Sequence, residues 1–101
     1  MGPTQCICPL CHQNADASDI DYDNRARVYC SGCSAYDITK FAFQGLTGSK
    51  VDHRNRLIGL AKAAPPGKIL VITQAGAAYK IKQPKADRPA PDWLGRPEAN
   101  A

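Results

Sequence analysis

Five cysteines, at positions 6, 8, 11, 30 and 33, are the residues of this chain best suited to chemistry. Cys8 and Cys11 frame "CPLC", Cys30 and Cys33 frame "CSGC", and eighteen residues separate the two pairs. A C-x2-C-x18-C-x2-C pattern has the spacing of a structural zinc site. The reason is geometric. A C-x-x-C turn lets two thiolates reach one ion while neighbouring backbone N–H groups point at the sulfurs. Two such turns supply four soft ligands in a tetrahedron, which suits Zn²⁺ at about 2.3 Å per Zn–S bond. Pro9 and Gly32 are turn formers inside the two pairs. Cys8, Cys11, Cys30 and Cys33 are therefore the expected metal ligands and Zn²⁺ the expected cofactor. Four protein thiolates leave no open coordination position, so the ion would be structural and would contribute folding free energy directly.

Other uses of paired cysteines fit less well. A thioredoxin-like redox pair opens a helix within an α/β unit, whereas these pairs bracket a hairpin. Disulfides need an oxidising compartment. The N-terminal "MGPTQC" has neither a basic n-region nor an apolar h-region, so a cytoplasmic protein is expected. An iron–sulfur cluster also accepts four cysteines, and visible absorbance would distinguish it. Cys6 and His12 are substitute ligands in principle. The Cys6–Cys8 spacing is tighter than a knuckle, however, and His12 reads as a polar residue ending the first knuckle.

The elements that must position these thiols can be read coarsely. Between the pairs, Ile20, Tyr22, Val28 and Tyr29 are β-formers around a turn-prone Asp23-Asn24 step. "SAYDI" continues as a strand after Cys33, and Thr39 caps a short helix over 40–46, ended by Gly45 and Gly48. Leu57, Leu60, Ala61 and Ala64 recur at helical spacing, so a second helix is expected over 52–64, stopped by Pro65-Pro66-Gly67. "KILVITQ" and "AYKIKQ", with a turn around Gly76, read as a hairpin with one solvated basic face. The expected architecture is α+β: a small zinc ribbon, a β-hairpin with two cysteine knuckles, followed by two short helices and a C-terminal β-hairpin. Residues 1–48 would form the ribbon and its short helix. Residues 49–83 would form the helix and hairpin packed on it as one domain, and 84–101 a Pro-rich tail with little regular structure. Trp93 is expected to fold back on the body; the other role open to it is anchoring a partner.

The run from Cys8 to Ala42, with its CPxC knuckle, second knuckle and Tyr36-Asp37-Ile38-Thr39 strand leading into a helix, resembles the zinc ribbons of small bacterial and phage-borne proteins. The resemblance covers about residues 6 to 45. It implies zinc and architecture; it implies no substrate. Ser34 departs from the pattern, which commonly has glycine after the last cysteine.

Charge is unevenly placed. The formal net charge is +4, yet residues 39–86 carry nine basic side chains against Asp52 alone, while residues 1–38 carry five acidic against two basic. Four thiolates around one Zn²⁺ would make the front half more acidic still. The basic residues Arg54, Arg56, Lys62, Lys80, Lys82 and Lys85 are the expected contact surface for a polyanion, DNA or RNA, with salt-sensitive binding. The alternative is a protein-interaction adaptor, or an inhibitor of phage or mobile-element type, docking on a host nucleic-acid-processing machine. Catalysis is not expected. "APPGK" lacks the spacing of a phosphate-binding loop, Ser31, Ser34 and Ser49 have no His–acid partner pattern, and His53 beside Asp52 is an isolated polar pair. Nothing in the sequence lowers the pKa of the Cys6 thiol. No apolar run reaches the roughly 18 residues of a membrane span, so no membrane partner is expected.

Overall fold

The computed structural model describes residues 4–20, 24–46, 51–82 and 89–94. Tyr22, Asp23, Gly48 and Lys85, all invoked above, lie outside them. The elements in order are β1 (Thr4–Ile7), β2 (Asn14–Asp19), β3 (Arg25–Cys30), β4 (Ser34–Thr39), α1 (Lys40–Leu46), α2 (Val51–Lys62), β5 (Lys68–Thr73) and β6 (Gly76–Ile81). All six strands form one sheet in sequence order. Neighbouring strands are antiparallel except β4 and β5, which are parallel because both helices intervene.

This arrangement refines the expectation of a ribbon carrying a packed hairpin. The β5–β6 hairpin continues the sheet of the first four strands edge-on, with Tyr36 opposite Leu70 and Ile38 opposite Ile72. A four-residue strand, β1, also precedes the first knuckle. One row of partners runs across all six strands: Thr4, Ala17, Val28, Tyr36, Leu70 and Tyr79.

Side chains alternate between faces along each strand. Ala17, Ala26, Val28, Tyr36, Ile38, Leu70 and Ile72 share the face that the helices cover, and they form one core with Ala42 and Leu46 of α1 and Leu57 and Ala61 of α2. The neighbouring row on the other face is Ser18, Arg27, Asp37 and Val71. Arg27 is almost fully buried there and forms a two-pronged ion pair with Asp37, Nε–Oδ1 2.7 Å and Nη2–Oδ2 3.3 Å. Burial alone would lower the Arg27 pKa, but the hydrogen bond and charge of Asp37 outweigh it and the net direction is up. A buried pair of this kind specifies strand register, because a one-residue slip would leave a charge alone in the interior.

The helix ends follow from local chemistry. Thr39 Oγ1 accepts a hydrogen bond from the Ala42 N–H at 3.2 Å, the N-cap arrangement expected for α1. Gly45 lies inside α1. Asp52 occupies the first turn of α2 and Lys62 the last, both favourable to the helix dipole. Pro65 and Pro66 cannot continue the helix, and Gly67 turns the chain with φ +78°. The β5–β6 turn is the two-residue step Gln74-Ala75, so Gly76 opens β6 instead of sitting at the turn's centre. Tyr79 Oη donates to the Leu60 carbonyl at 2.7 Å and ties β6 to α2.

Residues 89–94 contain no helix or strand, yet they are anchored to the body. The Asp19 N–H donates to the Pro89 carbonyl (3.0 Å) and the Ala90 N–H to Thr4 Oγ1 (2.9 Å). Ala90 and Leu94 are buried in the core. Trp93 lies against Phe43 of α1, ring centroids 5.4 Å apart and tilted by 54°. Trp93 therefore packs on the domain, the placement expected for it. No helix among the described residues is long and apolar enough to cross a membrane.

Candidate metal centre

In an antiparallel meander the β1–β2 and β3–β4 turns fall at the same end of the sheet. Those turns are the two cysteine knuckles, so the topology alone brings four thiols together from positions up to twenty-five residues apart. The Sγ atoms of Cys8, Cys11, Cys30 and Cys33 all lie within 4.8 Å of one another. Cys8 Sγ is 3.9 Å from Cys33 Sγ, and Cys11 Sγ is 3.5 Å from Cys30 Sγ. These separations are far longer than the roughly 2.05 Å of a disulfide. They bracket the sulfur–sulfur edge of about 3.8 Å that a tetrahedron with 2.3 Å Zn–S bonds would have. Among the described residues this is the one cluster of His, Cys, Asp and Glu side chains able to hold a metal ion.

The two knuckles are built alike. In the first, the His12 N–H donates to the Cys8 carbonyl and the Cys8 N–H to the Gln13 carbonyl, both at 2.8 Å. The backbone N–H groups of Cys11 and Leu10 are directed at Cys8 Sγ, and those of Gly32 and Cys33 at Cys30 Sγ. The residue after the second cysteine of each knuckle is left-handed: φ is 63° at His12 and 71° at Ser34. Both carry a Cβ in a conformation that favours glycine. The departure at Ser34 is thus a matter of residue type; the backbone still takes the shape that glycine would take there.

Burial sets the protonation of the thiols. It pushes Cys8 up to about 11, against the opposing bonds from Tyr36 and the backbone of Cys11 and Leu10. Burial also raises Cys33, reinforced by bonding to Cys11. Burial would raise Cys30 too, but the bond from Cys11 and the backbone N–H groups of Gly32 and Cys33 outweigh it and the net direction is down. A cation among these four sulfurs would displace the protons and reverse the balance.

Nothing local in the chain points to the role of Tyr36. It sits mid-strand in β4, fully buried, with Oη 3.0 Å from Cys8 Sγ. Burial and then the nearby Cys8 charge raise its pKa, so the phenol keeps its proton; against a metal-bound Cys8 thiolate its O–H would be the donor. Cys6 is fully buried on β1, and burial, then the charges of Cys8, Asp16 and Cys30, pushes its thiol up to about 12. It stands outside the four-sulfur cluster. His12 is exposed and also outside it.

The predicted basic residues do not share one face. Arg56 and Lys62 are exposed on α2. Arg54 is half-buried and turned toward the first knuckle, where it lines a cavity of about 180 Å³ with Ile7, Pro9, His12, Phe43 and Leu46. Tyr79 reaches α2, so Lys80, the next residue and the partner of Ile69, projects from the opposite face of β6. Lys82 is exposed just beyond β6. In comparisons with family models, curated proteins and solved structures, nothing matches this chain, so its likeness to a zinc ribbon rests on the two knuckles themselves.

Proposed function

We propose that the protein is a non-enzymatic, zinc-stapled module that binds nucleic acid through basic residues of the second half of its chain. The observation that supports this reading most is the separation of charge along the molecule. The residues from Thr39 to Ala86 are overwhelmingly basic, and the preceding residues are acidic before any metal is counted. Exposed Arg56, Lys62, Lys68, Lys80 and Lys82 make no ion pair with a described residue. Groups of this kind neutralise phosphates and release counterions. Zinc, held by Cys8, Cys11, Cys30 and Cys33, would fix the strands that carry the rest and would take no part in chemistry, because all four positions are filled by sulfur.

The test is an anisotropy titration of labelled DNA and RNA with the zinc-loaded full chain across a salt series. Binding at about 50 mM salt that weakens as a power of salt concentration supports the reading. Absence of binding at low salt, together with capture of a protein partner that survives nuclease treatment, would replace it with the adaptor reading.

A further inference from the structure

A groove lies between α2 and the β5–β6 turn, at the carboxyl end of β5. It consists of two adjoining cavities of about 380 and about 210 Å³ that share His53, Ile72, Thr73 and Gln74. The larger is lined by Arg56, Leu57 and Leu60, the smaller by Phe41, Ala42 and Gly45. Crevices at the carboxyl ends of parallel strands are where open α/β sheets take ligands. The combined volume falls in the range of small-molecule sites.

Three features fix the chemistry of the occupant. First, Phe41 is 65% exposed although its neighbours Ala42 and Leu46 are buried. Most of Phe41 is therefore open to contact where it lines the smaller cavity. Second, His53 and Arg56 lie one helical turn apart on α2 and both line the groove. Third, no acidic side chain lines either cavity among the described residues. An aromatic face, an apolar floor and two nitrogen-rich donors without a carboxylate are complementary to a planar base carrying a phosphate. A paired base offers its faces only to its stacking neighbours, so the occupant must be unpaired.

We infer that this groove takes a nucleotide of a single-stranded nucleic acid, its base stacked on Phe41 and its phosphate at Arg56 and His53. The inference rests on the nucleic-acid reading above and locates it: the groove is on the α2 side of the sheet, and Lys80 is on the other.

The experiment titrates the zinc-loaded full chain against a labelled single strand of about twelve nucleotides and a duplex of the same sequence, with thermal melts as a check on folding. The single strand should bind more tightly than the duplex. Phe41→Ala should weaken single-strand binding at least about fivefold, and Phe41→Tyr should keep it, because the aromatic face is retained. Phe41→Leu should behave like Phe41→Ala. Arg56→Gln should weaken binding and lower the logarithmic salt slope by about 0.7. If the wild-type chain binds neither strand form, this inference and the broader reading both fall. If it binds but Phe41→Ala and Arg56→Gln bind equally well, or if the duplex is preferred, the groove is refuted while the broader reading stands.

Discussion

The two ends of the parallel pair β4–β5 are built on opposite terms. At the amino end of β4 stand the cysteine knuckles, with Cys8, Cys30 and Cys33 buried and a buried phenol directed at one sulfur. At the carboxyl end of β5 lies an open groove lined by exposed Phe41, His53 and Arg56. The closed end resembles a small interior in which every polar group must be satisfied and where removal of one partner leaves another stranded. The open end is solvated, and substitutions there should leave the fold largely intact. One end is thus closed and buried, and the other is open to solvent. The central strands join them: Tyr36 in β4 bonds Cys8 and also lies opposite Leu70 of β5.

That contrast can be tested by strength of effect. The largest is expected from replacing Cys30 and Cys33 together by serine. Structural zinc in small domains contributes on the order of 10 kcal/mol at neutral pH. The variant should lose its cooperative melt by circular dichroism; a melt like the wild type's would dissolve the distinction between the two ends. Next is Asp37→Ala, which would leave the Arg27 guanidinium buried without its carboxylate. A loss of about 3–5 kcal/mol is expected by denaturant unfolding. A smaller, more specific effect is expected for Tyr36→Phe. The ring still fills the core, but Cys8 loses its donor, so zinc affinity measured by chelator competition should fall about tenfold with little change in the folded spectrum. The smallest effect has the opposite sign. Ser34→Gly and His12→Gly relieve left-handed strain after each knuckle and should each raise stability by about 0.5–1 kcal/mol in the same unfolding experiment.

The metal ligands were legible because a chelating turn is local: two thiols three residues apart, with turn formers between them, need no knowledge of the rest of the chain. The N-cap Thr39 was legible for the same reason, as were the branched residues of β5. What escaped depended on partners distant in sequence. β1 is a four-residue segment with little alternation, and only its pairing with β2 makes it a strand. Arg27 and Asp37 look like surface charges until the register places them opposite one another. Tyr36 reads as an ordinary β-former, since nothing local announces a bond to a sulfur twenty-eight residues earlier. Lys80 and Arg56 look like one basic surface in a charge count, yet strand alternation sends Lys80 to the far face. In the tail, prolines suggest little regular structure, and residues 89–94 do lack it; their anchoring by Ala90, Trp93 and Leu94 is a tertiary fact.

We propose that one zinc ion, clamped by the sulfurs of Cys8, Cys11, Cys30 and Cys33, organises the sheet. Elemental analysis of the purified chain, followed by circular dichroism before and after a strong chelator under reducing conditions, tests it most directly. The expected result is one zinc per chain, no visible absorbance, and loss of the folded spectrum on chelation that added zinc restores. A chain that is fully folded with no metal bound, or that carries iron with a visible charge-transfer band, would contradict it.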